Sequence, residues 1–88
     1  MSEEILSPQR LHDLLTIFKK RHGAEYRLRA LGYFGSYARN TATSESDVDI
    51  VFDTDTPNLY LTAMMKQDLE ELLGRSVHVL QGYQSIRL

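Results

Sequence analysis

The chain has no cysteine, which excludes disulfides and thiolate metal sites. It has no apolar run of about 18 residues, so no segment is expected to span a membrane as a helix. Its first residues include Glu3 and Glu4 and carry no hydrophobic signal core. That speaks against a secretory leader and makes the cytoplasm the expected location. Positive charge is not in excess either: 10 Lys and Arg face 12 Asp and Glu, a formal charge of -2. Such a balance is a poor footprint for a dedicated nucleic-acid binder. Internal repeats, linkers and a second compositional unit are missing too, so residues 1–88 are expected to form one domain.

What is present suffices for a small folded core. Apolar residues make up 42% and charged residues 25%, which argues against disorder. A chain this short buries little surface, so a partner would help it. Ser7-Pro8 opens a helix expected over residues 8–22, with Leu11, Leu14, Leu15 and Phe18 as its apolar stripe and Gly23 as its stop. Lys19, Lys20, Arg21 and His22 fall in its expected last turn. Residues 27–34 read as a strand, weakened at Gly32, and a short helical turn through Tyr37, Ala38 and Arg39 follows. A second strand is expected over residues 47–52. Thr56-Pro57 then opens a second helix reaching about Leu73, striped by Leu61, Met65, Leu69, Leu72 and Leu73 and closed by Gly74. Val77 to Leu80 is a third strand. Helix, strand, strand, helix, strand is the pattern of an α/β domain: a small mixed sheet with helices packed on one face.

The stretch Gly35 to Asp53, GSYARNTATSESDVDIVFD, carries the chemistry. Asp47 and Asp49 stand two apart, so on a strand they share one face while Val48, Ile50 and Phe52 face a core. Paired acids repel, and a divalent cation with oxygen ligands is the natural compensation. Gly35 permits close backbone approach. The hydroxyl of Ser36 and the amide groups after it can bind phosphate oxygens. The basic residues Lys19, Lys20, Arg21, Arg27, Arg29 and Arg39 read as a solvated helix end plus scattered surface charge, or as a rim that attracts a polyphosphate. The blander reading of Asp47 and Asp49 is an acidic strand edge that keeps the protein in solution. Met64 and Met65 are expected in the core and His12 and His22 on the surface. Tyr33 and Phe34 read as strand packing, and Tyr37 as core, rim or site lining.

Gly-Ser, ten residues, then Asp-x-Asp resembles the nucleotidyltransferases related to DNA polymerase beta. The chain's size, with Tyr33-Phe34 and the run LEELLGRSVHVL, is similar to their minimal nucleotidyltransferase branch, over roughly residues 28–80. The resemblance implies the polymerase beta-like fold. It also implies transfer of a nucleoside monophosphate, usually AMP from ATP, with Mg²⁺ as cofactor and Mn²⁺ as the alternative. It makes Asp47 and Asp49 catalytic metal ligands, Gly35 and Ser36 the triphosphate cradle, and Arg39 a phosphate contact. Asn40 stands where the family often has glycine, a mild departure because asparagine tolerates left-handed backbone.

A larger departure is His78. The family places a third acid on the strand after the second helix, and here that position holds histidine. Imidazole is a poor substitute for carboxylate on Mg²⁺, suits transition metals better, and can also serve as a general base. Asp53, and less well Asp55, are the candidate stand-in acids. By resemblance the context is an antitoxin paired with a small helical HEPN-type toxin, whose tyrosine would receive the adenylyl group. The rival reading is a catalytically impaired nucleotide- or partner-binding module. Homo-oligomers fit either.

Overall fold

The computed structural model describes residues 6–82. The elements run α1 (Pro8–Tyr26), β1 (Leu28–Phe34), β2 (Val48–Thr54), α2 (Leu59–Leu73) and β3 (Val77–Gln81). The sheet has the order β1-β2-β3. β1 pairs with β2 antiparallel and β3 pairs with β2 parallel, so the sheet is mixed, as expected. Parallel pairing of β2 and β3 needs a crossover, and α2 supplies it.

β2 has two faces. Val48, Ile50 and Phe52 are at most 3% exposed and join one core with Leu11, Leu15 and Phe18 of α1 and Met65, Leu69 and Leu73 of α2. Leu31 and Val77 complete that core from the flanking strands. Both helices therefore cover the same side of the sheet. The other side carries Asp49, Val51 and Asp53, and neither described helix packs on it, although Val51 there is itself buried.

Some element boundaries differ from expectation, for physical reasons. α1 continues through Gly23 to Tyr26. Glycine inside a helix costs about 1 kcal/mol, whereas burying a large side chain contributes about 1.5–3 kcal/mol. Tyr26 is 4% exposed, stacks on Phe18 with ring centroids 6.0 Å apart, and donates its hydroxyl proton to Asp68 of α2. Burial, followed by this carboxylate partner, pushes the Tyr26 phenol far above its ordinary pKa. The helix stops instead at Arg27, whose backbone is left-handed with φ 54°. Lys19 to His22 consequently lie inside α1 and not in its last turn. His22 packs on Phe18 at 4.8 Å and pairs with Glu25 at 2.8 Å.

α2 begins later than expected. Asn58, not Thr56, caps it, its Oδ1 accepting from the Leu61 N–H at 3.1 Å; asparagine outranks threonine at this position. Gly74 closes it with φ 70°. Its buried stripe is Met65, Leu69 and Leu73. Leu72 and Met64, both expected inside, are 39% exposed, because they fall off the i, i+4, i+8 line that faces the sheet.

Glu70 locks α2 to β3. Its Oε2 accepts from the Val77 N–H at 3.1 Å and from Lys66 Nζ at 3.0 Å. The Val77 N–H first, then Lys66, hold its carboxyl below the usual range. A carboxyl lowered by folding stabilises the protein above its unfolded pKa of about 4.3. That contribution fades as pH falls through the folded value. Urea unfolding of wild type and Glu70→Gln is therefore expected to show wild type the more stable at pH 7, with the gap narrowing toward pH 3.

Candidate active site

The site is built where β1 ends. Gly35 follows Phe34 with φ 72°, a conformation glycine adopts freely. Its carbonyl accepts from the Arg39 N–H at 3.0 Å, and the Ser36 carbonyl accepts from the Thr41 N–H at 2.8 Å. The result is one tight turn over residues 35–40, shorter than a helix, with Asn40 left-handed at φ 62°. Among the described residues, no backbone acceptor takes the N–H groups of Ser36, Tyr37 and Ala38. Successive unsatisfied N–H groups of this kind form an anion-binding concavity.

Tyr37 fixes the turn to the body of the domain. It is 1% exposed, and its hydroxyl accepts from Arg75 Nη1 at 2.8 Å. The turn is thereby tied to the segment between α2 and β3. Of the readings open for Tyr37, the structure selects core packing. Its tie to Arg75 spans 38 positions and had no local signal.

Across from the turn stands Asp49. Register places it opposite Phe34 on β1 and beside His78 on β3. The turn and the carboxylate are in close approach: a Cβ built on Gly35 would lie 2.1 Å from Asp49 Oδ2 and 3.1 Å from its Cγ. Any larger residue there would have to displace that carboxylate and adopt the left-handed backbone. His78 is exposed, between the inward-facing Val77 and Val79. Neighbouring strands lie about 4.8 Å apart and directly paired residues share a face, so the imidazole and the Asp49 carboxylate stand side by side on the open face. Asp47 precedes β2, which starts one residue later than expected, and is exposed. Ser36 is half-buried and Arg39 exposed on the turn.

The candidate stand-in acids are committed elsewhere. Asp53 pairs with Arg29 at 3.7 Å. It sits four residues from Asp49, about 13 Å along a strand that rises about 3.3 Å per residue. Asp55 pairs with Arg27 at 3.8 Å. Arg27 and Arg29 thus neutralise acids at the far end of the sheet, away from the Gly35 turn.

Asp49 and Asp47 make no hydrogen bond or ion pair among the described residues. Asp49 lies against the turn and Asp47 is exposed just before β2; a divalent cation would compensate such carboxylates. No three His, Cys, Asp or Glu side chains are grouped to hold a metal among the described residues. No helix among the described residues is long and apolar enough to cross a membrane.

A mixed sheet with helices on one side, and a glycine turn against an aspartate at its edge, defines a small α/β domain. The Nucleotidyltransferase domain family model matches residues 11–87. The chain belongs to this family, in its minimal nucleotidyltransferase branch. It is 35% identical over 77 residues to protein adenylyltransferase MntA of Thermococcus cleftensis, covering 86% of this chain and 78% of the relative. It is also similar to MJ0128 and MJ0435 of Methanocaldococcus jannaschii, whose names assign protein adenylyltransferase activity provisionally. Identity is 34% with 80% of this chain and 72% of MJ0128 covered, and 39% with 75% of this chain and 67% of MJ0435 covered. No solved structure matches the chain.

Gly35→Ala tests the close approach. An alanine here takes on a left-handed backbone, costing about 1–2 kcal/mol, and displaces the Asp49 carboxylate. A lower midpoint in urea unfolding and loss of Mn²⁺-nucleotide binding by calorimetry are expected. Binding at wild-type strength would show that the turn and the acid do not act together.

Proposed function

We propose that this protein transfers AMP from ATP to a hydroxyl group on a partner protein. The observation that carries the reading is the contact of Gly35 with Asp49 in a chain whose relatives bear protein adenylyltransferase names. In the reaction, the acceptor oxygen attacks the α-phosphorus, the bond to pyrophosphate breaks, and the hydroxyl proton is released. The turn amides and the Ser36 hydroxyl hold the phosphates, and Arg39 adds a mobile positive charge. Asp47 and Asp49 hold the cation. A bound divalent cation supplies the charge that activates the acceptor hydroxyl and stabilises the departing pyrophosphate.

The acceptor in this proposal is a tyrosine of a small helical HEPN-type toxin, with this chain as the antitoxin. Support for a protein acceptor comes from the relatives' names; support for the toxin comes from the resemblance to the minimal branch. One observation favours a second reading, a module that binds its partner without chemistry: His78 stands beside Asp49 where a third acid is expected.

Incubation with labelled ATP, Mg²⁺ or Mn²⁺ and the candidate toxin separates the two. Label on the toxin that falls by about a hundredfold or more in Asp47→Asn or Asp49→Asn, the scale of losing electrostatic support in a transition state, supports transfer. Toxin captured unlabelled, equally by wild type and Asp47→Asn, supports the module. His78→Asp restores carboxylate charge and is expected to raise Mg²⁺-dependent transfer. A fall instead would assign the imidazole a catalytic duty of its own.

A further inference from the structure

We propose that the outer face of the helix layer is an interface at which two copies of this chain pack back to back about a two-fold axis. The inference goes beyond the transferase reading and does not rest on it. Three observations carry it. First, α2 has a second line of side chains beside the one that faces the sheet. Tyr60, Met64, Asp68 and Leu72 follow one another at intervals of four and so share one side of the helix. Three of the four are large and apolar in body, and all three are exposed, Tyr60 at 70%. Second, α1 extends that patch. Ile17, 44% exposed, lines a shallow cavity of about 310 Å³ together with Leu72. Single exposed apolar residues are ordinary, whereas a contiguous set marks an interaction surface. Third, the rim carries both signs of charge. Arg21 of α1 and Glu71 of α2 line the same cavity, and neither makes an ion pair among the described residues.

The charges name the occupant. A two-fold interface is isologous, so a residue that meets a second residue on the partner is met by that second residue in return. Such a surface must complement itself, and this one does. Its apolar residues can meet their own kind. An axis running between α1 and α2 lays Arg21 of each protomer over Glu71 of its partner, twice per dimer. A partner of one charge sign would instead leave one of the two facing like charge, which costs affinity. The other ionisable groups on the cavity are already engaged: Asp68 accepts from Tyr26 and His22 pairs with Glu25. Arg21 and Glu71 are thus the charges left to pair across. A chain this short buries little surface by itself, and joining two helix layers adds to it. The Gly35 turn and Asp49 lie on the side of the sheet away from the helices, so both sites stay open in the dimer.

The experiment is sedimentation velocity on the full chain over a range of micromolar concentrations. Wild type is expected to be a dimer. Leu72→Glu is expected to weaken it by about tenfold or more, the scale on which central interface residues register. Arg21→Glu and Glu71→Arg, each alone, are expected to weaken it similarly, because like charges then face each other. An equimolar mixture of these two single variants is expected to recover the dimer, since a protomer of each restores both pairs with opposite charges. Arg21, Glu71 and Leu72 are exposed, so the variants keep their fold, which circular dichroism checks. A wild type that stays monomeric overturns the inference, as does a dimer that Leu72→Glu leaves intact or a mixture no tighter than its components. A monomer that binds the candidate toxin through this face, with binding lost in Leu72→Glu, gives the face to that partner and also overturns it. Asp49→Asn is expected to dimerise as wild type does, so failure of transfer and failure of dimerisation are read separately.

Discussion

The open side of this domain is organised by one steric constraint: the backbone of Gly35 lies where any side chain would collide with the carboxylate of Asp49. Backbone freedom and space are both required, since the residue also has φ 72°. The constraint couples two segments 14 positions apart in sequence. The turn after β1 and the Asp49 carboxylate are thereby held in close approach. Tyr37 and Arg75 hold the far side of that turn. A polar device is thus fixed to the apolar core through a phenol whose ring is buried and whose hydroxyl bridges to the α2–β3 junction.

The sheet separates stability from chemistry. Side chains on the helix-covered face, Val48, Ile50 and Phe52, are almost fully removed from water. On the other face Asp49 and Asp53 are half-buried on either side of the buried Val51, and neither described helix covers them. Burying unpaired carboxylates would cost several kcal/mol, so they belong on the side left open. Charge along that face is graded. Asp53 is matched by Arg29 at one end, while Asp49 at the other end, between Phe34 and His78 in register, has no ion-pair partner among the described residues. The unmatched end is the one beside the Gly35 turn.

Much of this was legible in the sequence, because period and spacing are local signals. Alternation along VDIVF gave the two faces, and the crossover rule gave a mixed sheet. The spacing from Gly-Ser to Asp-x-Asp gave the turn and the acid that meet. What escaped was set by distant contacts. Local signals end α1 at Gly23, but the burial of Tyr26 and its bond to Asp68, 42 positions away, outweigh one glycine. Leu72 and Met64 were assigned inward from hydrophobicity, but the helix orients by its contact with the sheet. The role of Arg75 had no sequence signal, since nothing near it in the chain announces a bond to Tyr37. The commitment of Asp53 to Arg29 was hidden for a related reason. It depends on the pairing of β1 with β2, and on the irregularity in register between Leu28 and Ala30.

The two halves of the site differ in how freely they can change. On the phosphate side, Gly35 is restricted by backbone angle and by contact, and Tyr37 by burial. On the cation side, position 78 is exposed and its backbone is held by strand pairing whatever its side chain. Exchanging an acid for histidine there leaves the core, the turn and the sheet untouched, because none of them rests on that side chain. The substitution acts on charge and ligand type alone.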